Sequence, residues 1–390
     1  MINHKERDHA LLSASGAARW MNCNPSARLE ELFPETTSEY AEEGTLAHEI
    51  SELKLTKYTS PMGARTYNSR LKKLKANKLY KQEMDAYTDA YLEHIKELMM
   101  SFDKPAAASI EKKVDFSAYV PEGFGTCDFV TVYGKTLYVR DLKYGKGVPV
   151  FAENNPQLML YSLGAYLEYS LFEDIETVNM GIVQPRLDSI SVWEISAEEL
   201  VEWAEKEVKP NAERAFNAEG NFVPGQCTFC RAKAVCRARA EMNMELETEM
   251  KLKGNILSNA EMGDILKRAQ DVVKWVKDIE NYCQQAILKG ETVPGWKLVE
   301  GRSVRTFSDT EKAFKILKDK GIAEELMYER KMLTLSQLEG TIGKKDFNDY
   351  VGELIIKPKG KPTLVLESDK RAPYVNDVIN AEDEFEKIED

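Results

Sequence analysis

No stretch of this 390-residue chain approaches the ~20 consecutive apolar residues that a membrane helix needs. The opening residues Met1–Asp8 lack the apolar core of a secretory leader, so the expected location is the cytoplasm. No Gly-x4-Gly-Lys-Ser/Thr loop is present, which argues against a built-in ATP-driven motor. No internal repeat stands out. An excess of positive charge is also missing. The formal net charge is −12, which argues against a protein that coats nucleic acid through a general positive field.

Charge of each sign is nevertheless concentrated. Lys54 to Lys81 hold nine Lys or Arg and no acid, and Glu382 to Asp390 hold six acids and one Lys. A local basic segment in an acidic chain fits a grip on a phosphate backbone at one place; the same segment also reads as a solvated basic surface.

Periodicity divides the chain. Ser13–Leu32 reads as a helical opening segment, with Ser13 or Ser15 as a cap. Glu39–Leu55 is a helix carrying Leu46, Ile50 and Leu53. Pro61, Gly63 and Asn68 mark a loop, with helix resuming at Leu71. Lys81–Met100 is amphipathic. Strands are expected at Ser109–Phe116, Gly125–Tyr133, Thr136–Leu142, Val178–Gln184 and Ser189–Ile195, with Gly134-Lys135 as a hairpin turn. Gln157–Tyr169 and Ala197–Ala218 are helical, the latter capped by Ser196 and broken at Pro210. A helix continues through Glu249, and Ala260–Leu288 is a long one. Trp296–Val299 reads as a strand, and Asp309–Lys318 and Thr334–Tyr350 as short helices. The fold class is α/β: a central mixed sheet flanked by helices, a helical N-terminal segment, and a C-terminal α+β appendage. The expected divisions are 1–250, 251–370, and a charged, poorly ordered tail at 371–390.

The chemistry concentrates in Gly125-Thr126-Cys127-Asp128 and Val139-Arg140-Asp141-Leu142-Lys143. A period of two puts Asp141 and Lys143 on one face of a strand, and the hairpin can bring Asp128 beside them. Two converging carboxylates offer hard oxygen ligands to Mg²⁺ or Mn²⁺, and a lysine can orient water and stabilise developing negative charge. An isolated Asp-x-Lys is also a common strand-end ion pair. Here Phe129, Val130, Leu137 and Val139 embed both acids in core-like strands, where an unpartnered charge is costly. His48, on the upstream helix, is a further candidate ligand. Gln157 and Tyr161, four apart on one helix face, can hydrogen-bond to phosphate or base.

Six cysteines are present: Cys23, Cys127, Cys227, Cys230, Cys236 and Cys283. A reducing compartment argues against structural disulfides. Cys227-x2-Cys230-x5-Cys236 is one thiolate short of a closed four-ligand site, and Cys23 is the best candidate for the fourth. Such a site would tie together segments roughly two hundred residues apart. Cys127 and Cys283 read as ordinary buried thiols. Zinc remains an alternative to iron–sulfur, although small zinc modules usually supply two local pairs and no second pair exists here.

In order, Gly44-Thr45-x-x-His48, Gly125-x-x-Asp128, Asp141-Leu142-Lys143 and Gln157-x-x-x-Tyr161 resemble the motifs of RecB-like nucleases in the PD-(D/E)XK superfamily. The resemblance implies that His48, Asp128, Asp141 and the Leu142 carbonyl ligate the metal, that Lys143 is catalytic, and that Gln157 and Tyr161 contact DNA or order the site. Glu111 lies where some relatives carry an extra acid. The one-plus-three cysteine split is similar to that of AddB-type and CRISPR-adaptation nucleases with a [4Fe–4S] cluster, and implies a structural cluster with DNA contact through Arg231, Lys233, Arg237 and Arg239. The whole chain, including Gly295–Gly301, also resembles an uncharacterised family encoded by phages and prophages, which implies a bacterial host cell and a phage recombination or replication partner. The expected activity is Mg²⁺- or Mn²⁺-dependent hydrolysis of DNA ends or single strands. The rival readings are a non-catalytic DNA- or partner-binding module and a metal-bearing assembly factor.

Overall fold

A computed structural model of the chain describes residues 10–34, 38–249, 258–299, 308–320 and 335–355. Two compact units divide between Ala286 and Ile287. The expected acidic tail at 371–390 lies outside the described residues.

The first unit opens with a 3-10 turn capped by Ser13, whose hydroxyl accepts the Gly16 N–H. Helices α1 (Ala17–Asn22) and α2 (Ser26–Glu30) follow. Pro25 lacks the N–H a continuous helix would use, so one expected helix becomes two. Ser38 caps α3 (Glu39–Thr59), which buries Leu46, Ile50 and Leu53. Only the segment from Ser60 to Gly63 interrupts the helices before α4 (Ala64–Lys75). Asn68 therefore sits inside a helix and not in a loop. Leu71 and Leu74 recur at helical spacing and pack with Leu46, Ala47 and Ile50, and that contact overrides the local turn signal. The amphipathic α5 (Glu83–Met100) buries Met84, Tyr91 and Ile95.

Five strands form one mixed sheet in sequence order: β1 (Ala108–Asp115), β2 (Phe124–Tyr133), β3 (Thr136–Leu142), β4 (Thr177–Gln184) and β5 (Ser189–Ser196). All neighbours are antiparallel except β3 and β4. A parallel pair needs a long crossover, and α6 (Pro156–Tyr169), capped by Asn155, supplies it. One face of the sheet packs under α6 through Val114, Leu137, Val139, Val178 and Met180. The other packs under α5 through Phe129, Leu142 and Val183 with Tyr91 and Ile95.

The helix after β5 begins with a capping box between Ser196 and Glu199. It runs as α7 (Ala197–Trp203), a π-helical turn (Ala204–Val208) and α8 (Lys209–Phe216). Pro210 does not break it; the wider turn just upstream absorbs the missing N–H and the bulk of the ring. After the cysteine segment come α9 (Arg237–Glu249) and α10 (Asn259–Leu288). Asp278 on α10 pairs with Lys233 at 3.0 Å and Arg239 at 2.7 Å. Most of α10 thus belongs with the first unit, beyond the division expected near residue 250.

In the second unit, Asp309 caps α11 (Thr310–Asp319). The expected helix at 334–350 is two, α12 (Leu335–Ile342) and α13 (Lys344–Val351), parted at Gly343 with φ +95°. No strand occurs among the described residues of this unit. Trp296–Val299, expected as a strand, carries no strand assignment and is exposed.

The crossover helix sits against the sheet without slack. A Cβ on Gly164 would lie 2.9 Å from the Val114 Cβ and 3.3 Å from the Asp115 carbonyl. Gly164→Ala is expected to destabilise by ~1–3 kcal/mol, measured by urea unfolding; an unchanged midpoint would contradict this close approach.

Candidate active site

Regular pairing of β2 with β3 ends at Phe129 opposite Arg140. The next position brings Asp128 and Asp141 to the splaying mouth of the hairpin. In place of the backbone ladder, the Asp128 Oδ2 accepts the Leu142 N–H at 2.6 Å. Both acids are buried, at 8% and 4% exposure.

Side-chain alternation also reverses here. Cys127 packs in the α6-side core and Phe129 in the α5-side core, although residues two apart on a regular strand share a face. On β1, Ile110 packs toward α5 while Lys112 reaches Glu168 on α6. Glu111 between them has φ +47°, a left-handed conformation costly for a non-glycine residue and typical of functional positions. The two strands kink at the same level and turn Glu111 and Asp128 together.

Helix α3 completes the group. His48 Nδ1 lies 3.1 Å from Asp128 Oδ1. Ligand atoms of His48, Glu111 and Asp128 all fall within 4.8 Å of one another. Lys143 Nζ lies 2.8 Å from Asp141 Oδ2 and donates to Gln157 Oε1 at 2.9 Å. Gln157 Nε2 in turn donates to the Tyr161 hydroxyl at 3.1 Å. The Asp141 Oδ2 is sealed from solvent, with the Lys143 ammonium as its close partner. The structure thus brings His48, Asp128, Asp141, Leu142, Lys143, Gln157 and Tyr161 to one place. It adds Glu111 as the third close ligand, while Asp141 engages Lys143. Gln157 and Tyr161 order the lysine. Gly125 makes room for them, since a Cβ there would meet Tyr161 at 2.6 Å. An open cleft leads to the group, lined by Ala41, Gly44, Thr45, His48, Lys143 and Gly145.

Electrostatics follow from burial and crowding. Burial raises the Asp128 carboxyl, but His48, the Leu142 N–H and Lys143 outweigh it and hold it below the usual range. Burial raises the Asp141 carboxyl beyond what Lys143 can offset, with Asp128 adding to the rise. Burial opposes charge on His48, yet the Asp128 carboxylate pushes its pKa up to about 9. Burial, then Asp128, raises Glu111 to about 7. Three acids therefore share one imidazolium and one ammonium, and the donor set of one imidazole and hard carboxylate oxygens suits a divalent cation.

The four expected cysteines lie around one concavity without forming a tight cluster. Cys23, Cys227, Cys230 and Cys236 line one concavity with Arg19, Phe222, Val223 and Gln226. Cys23 Sγ accepts the Val223 N–H at 3.4 Å. Glu30, buried at 4% exposure, accepts Arg19 Nε at 2.9 Å and the Arg231 N–H at 2.8 Å. Burial raises the Cys23 thiol, and Cys236 and Cys227 add to the rise. Burial, then Glu30, pushes Cys230 up to about 11. The sulfurs do not form a group of three within 4.8 Å. Cys127 is buried against the Tyr161 carbonyl, and Cys283 is only partly buried. Of the basic residues expected to touch DNA here, Lys233 and Arg239 pair with Asp278. Arg231 Nη1 reaches the Phe33 carbonyl, and Arg237 is exposed.

The basic segment is divided. Lys54, Lys75 and Lys81 pair with Asp89, Asp85 and Glu43. Arg65, Arg70, Lys72, Lys73 and Lys78 are exposed and make no ion pair among the described residues.

A pH dependence follows for metal-free protein. Charged His48 stabilises the fold fully below its unfolded pKa of ~6.5, and this is lost as pH rises through about 9. Glu111 is disfavoured when ionised, so its penalty develops from pH ~4.5 up through about 7. Metal-free Glu111→Gln is expected to gain ~2 kcal/mol at pH 8 and little at pH 4. In the wild type, Mn²⁺ should raise the melting temperature more at pH 8 than at pH 5.5. Calorimetry across pH checks both; a metal-free variant no more stable than wild type at pH 8 would remove Glu111 from the crowded group.

Among known proteins, the solved structure of SSO0001 is similar at 17% identity over 48% of this chain and 95% of that chain, with a TM-score of 0.22. A family model described as "Protein of unknown function (DUF2800)" matches residues 9–372. The chain belongs to that family.

Proposed function

We propose that this protein is a metal-dependent nuclease that hydrolyses phosphodiester bonds in DNA. The observation that carries the reading is the convergence of His48, Glu111, Asp128, Asp141 and Lys143 at one end of the β2–β3 hairpin. The order of elements suits a PD-(D/E)XK core: an antiparallel β1–β2–β3, a crossover α6, and a parallel β4.

His48, Glu111 and Asp128 would hold Mg²⁺ or Mn²⁺, with Asp141 and the Leu142 carbonyl beside them. The excess of acid over base in the group suits a cation. When bound, the metal would supply Lewis-acid activation of water and neutralise charge on the phosphate. Lys143, fixed by Asp141 and Gln157, presents its ammonium to the attacking water and to the charge developing on phosphorus oxygens. The Asp128–Leu142 N–H bond and the His48–Asp128 contact fix the hairpin against α3, so the ligands are preorganised. The open cleft exposes this group to a polymer strand.

The four thiols suit an iron–sulfur cluster more than zinc. Tetrahedral zinc with ~2.3 Å bonds would draw all four sulfurs to ~3.8 Å of one another, whereas no three of them lie within 4.8 Å here. A cluster would pin α1–α2 to the segment before α9, two ends of the first unit far apart in sequence.

End-labelled DNA incubated with Mn²⁺ is expected to be degraded. Lys143→Ala should slow cleavage by about 10²–10³-fold while Mn²⁺ binding, read by electron paramagnetic resonance, persists. Asp141→Ala should be inactive. Equal cleavage by Lys143→Ala and wild type would refute the assignment. Anaerobically purified protein should be brown, and Cys23→Ser should lose iron by elemental analysis; colourless, iron-free wild type would end the cluster reading.

A further inference from the structure

The strand that carries Asp141 and Lys143 leads into Tyr144-Gly145-Lys146-Gly147-Val148, and this loop is held from below by one side chain. Gln184, at the end of β4, is 2% exposed. Its Nε2 donates to the Gly145 carbonyl at 2.8 Å and the Val148 carbonyl at 2.9 Å, and its Oε1 accepts the Val150 N–H at 3.0 Å. Both ends of the amide are used, and all three bonds go to the loop backbone. Carbonyls are thereby turned inward. The N–H groups of Gly145, Lys146, Gly147 and Val148 donate to no acceptor among the described residues.

Lys146 stands at the tip. It is exposed and makes no ion pair or hydrogen bond among the described residues, whereas Lys143 three positions earlier is engaged twice. A Cβ on Gly145 or Gly147 would meet nothing within 4 Å, so a ligand can approach the backbone closely. Gly145 lines the same cleft as His48 and Lys143. A free ammonium and unsatisfied amides on a pinned, side-chain-poor loop make an anion site.

We propose that the loop 144–148 is a phosphate-binding rim of the cleft. Lys146 and the loop amides would hold a backbone phosphate neighbouring the one at the His48–Glu111–Asp128 group, with Gln184 as the positioning residue. The proposal rests on the nuclease reading. It assigns that site a polymer substrate gripped at a flanking phosphate, beyond the single bond being cut.

The test uses the full chain, a fluorescent single-stranded oligonucleotide, and Ca²⁺ in place of Mn²⁺ to hold hydrolysis back. Anisotropy titrations at several salt concentrations give affinity and its salt slope. Lys146→Ala is expected to weaken binding roughly three- to tenfold and to flatten the slope by about one phosphate contact. Lys146→Arg should restore both. Gln184→Leu should flatten the slope in the same way, whereas a merely structural role would lower its melting temperature and leave the slope alone. Mn²⁺ affinity should be unchanged in Lys146→Ala. Wild-type affinity and slope in Lys146→Ala would overturn this inference and leave the nuclease reading standing. A wild-type protein that neither binds nor cleaves any oligonucleotide would overturn both.

Discussion

The first unit is organised around the burial of negative charge. Asp128 and Asp141 sit in adjacent strands at the same level, both almost sealed from water, and Glu111 joins them across β1. Like charges this close in a poorly polarisable interior repel strongly, and each has given up solvation. His48, Lys143 and one backbone N–H offset part of that cost. The remainder appears as raised carboxyl pKa values at Asp141 and Glu111. A fold that needed only stability would place apolar side chains here.

Several other features support that group. Helix α3 must lie close enough for His48 to reach Asp128. An ionic clamp holds its N-terminal end: Glu43, itself buried, takes Arg186 Nη1 at 3.0 Å and Lys81 at 2.9 Å. Arg186 also packs over Tyr144, with its guanidinium 4.8 Å from the ring centre. Further along α3, Lys54 is buried and donates to the Asp85 carbonyl and Thr88 on α5. From the other face, α6 delivers Gln157 and Tyr161 to Lys143. The residues that touch the cleft are few, and the residues that orient them are spread across α3, α5, β4 and α6.

The cysteine concavity solves a different problem. It joins the start of the unit to its far end by contacts that bridge about two hundred residues. Asn22 reaches the Val223 carbonyl, Arg28 the Phe216 carbonyl, and Glu30 the Arg231 N–H. These bonds bring Cys23 to the other three thiols without any sulfur bridge. Hydrogen bonds thus close this loop without the thiols.

The sequence by itself determined the order and nature of the elements. Period-two and helical patterns found all five strands and most helices, because local alternation reflects which face is buried. It also determined Asp141 and Lys143 as a same-face pair. It misled where local signals met long-range packing: Asn68 in α4 and Pro210 beside a π turn. Only the tertiary structure decided that Glu111 belongs with His48 and Asp128. A strict alternation assigns Glu111 a face by counting, and the paired kink at Glu111 and Asp128 breaks that count. Only the structure, too, engaged Lys233 and Arg239 with Asp278 and left Lys146 without an ion pair among the described residues. Which charges find partners depends on groups far away in sequence, and no periodicity records them.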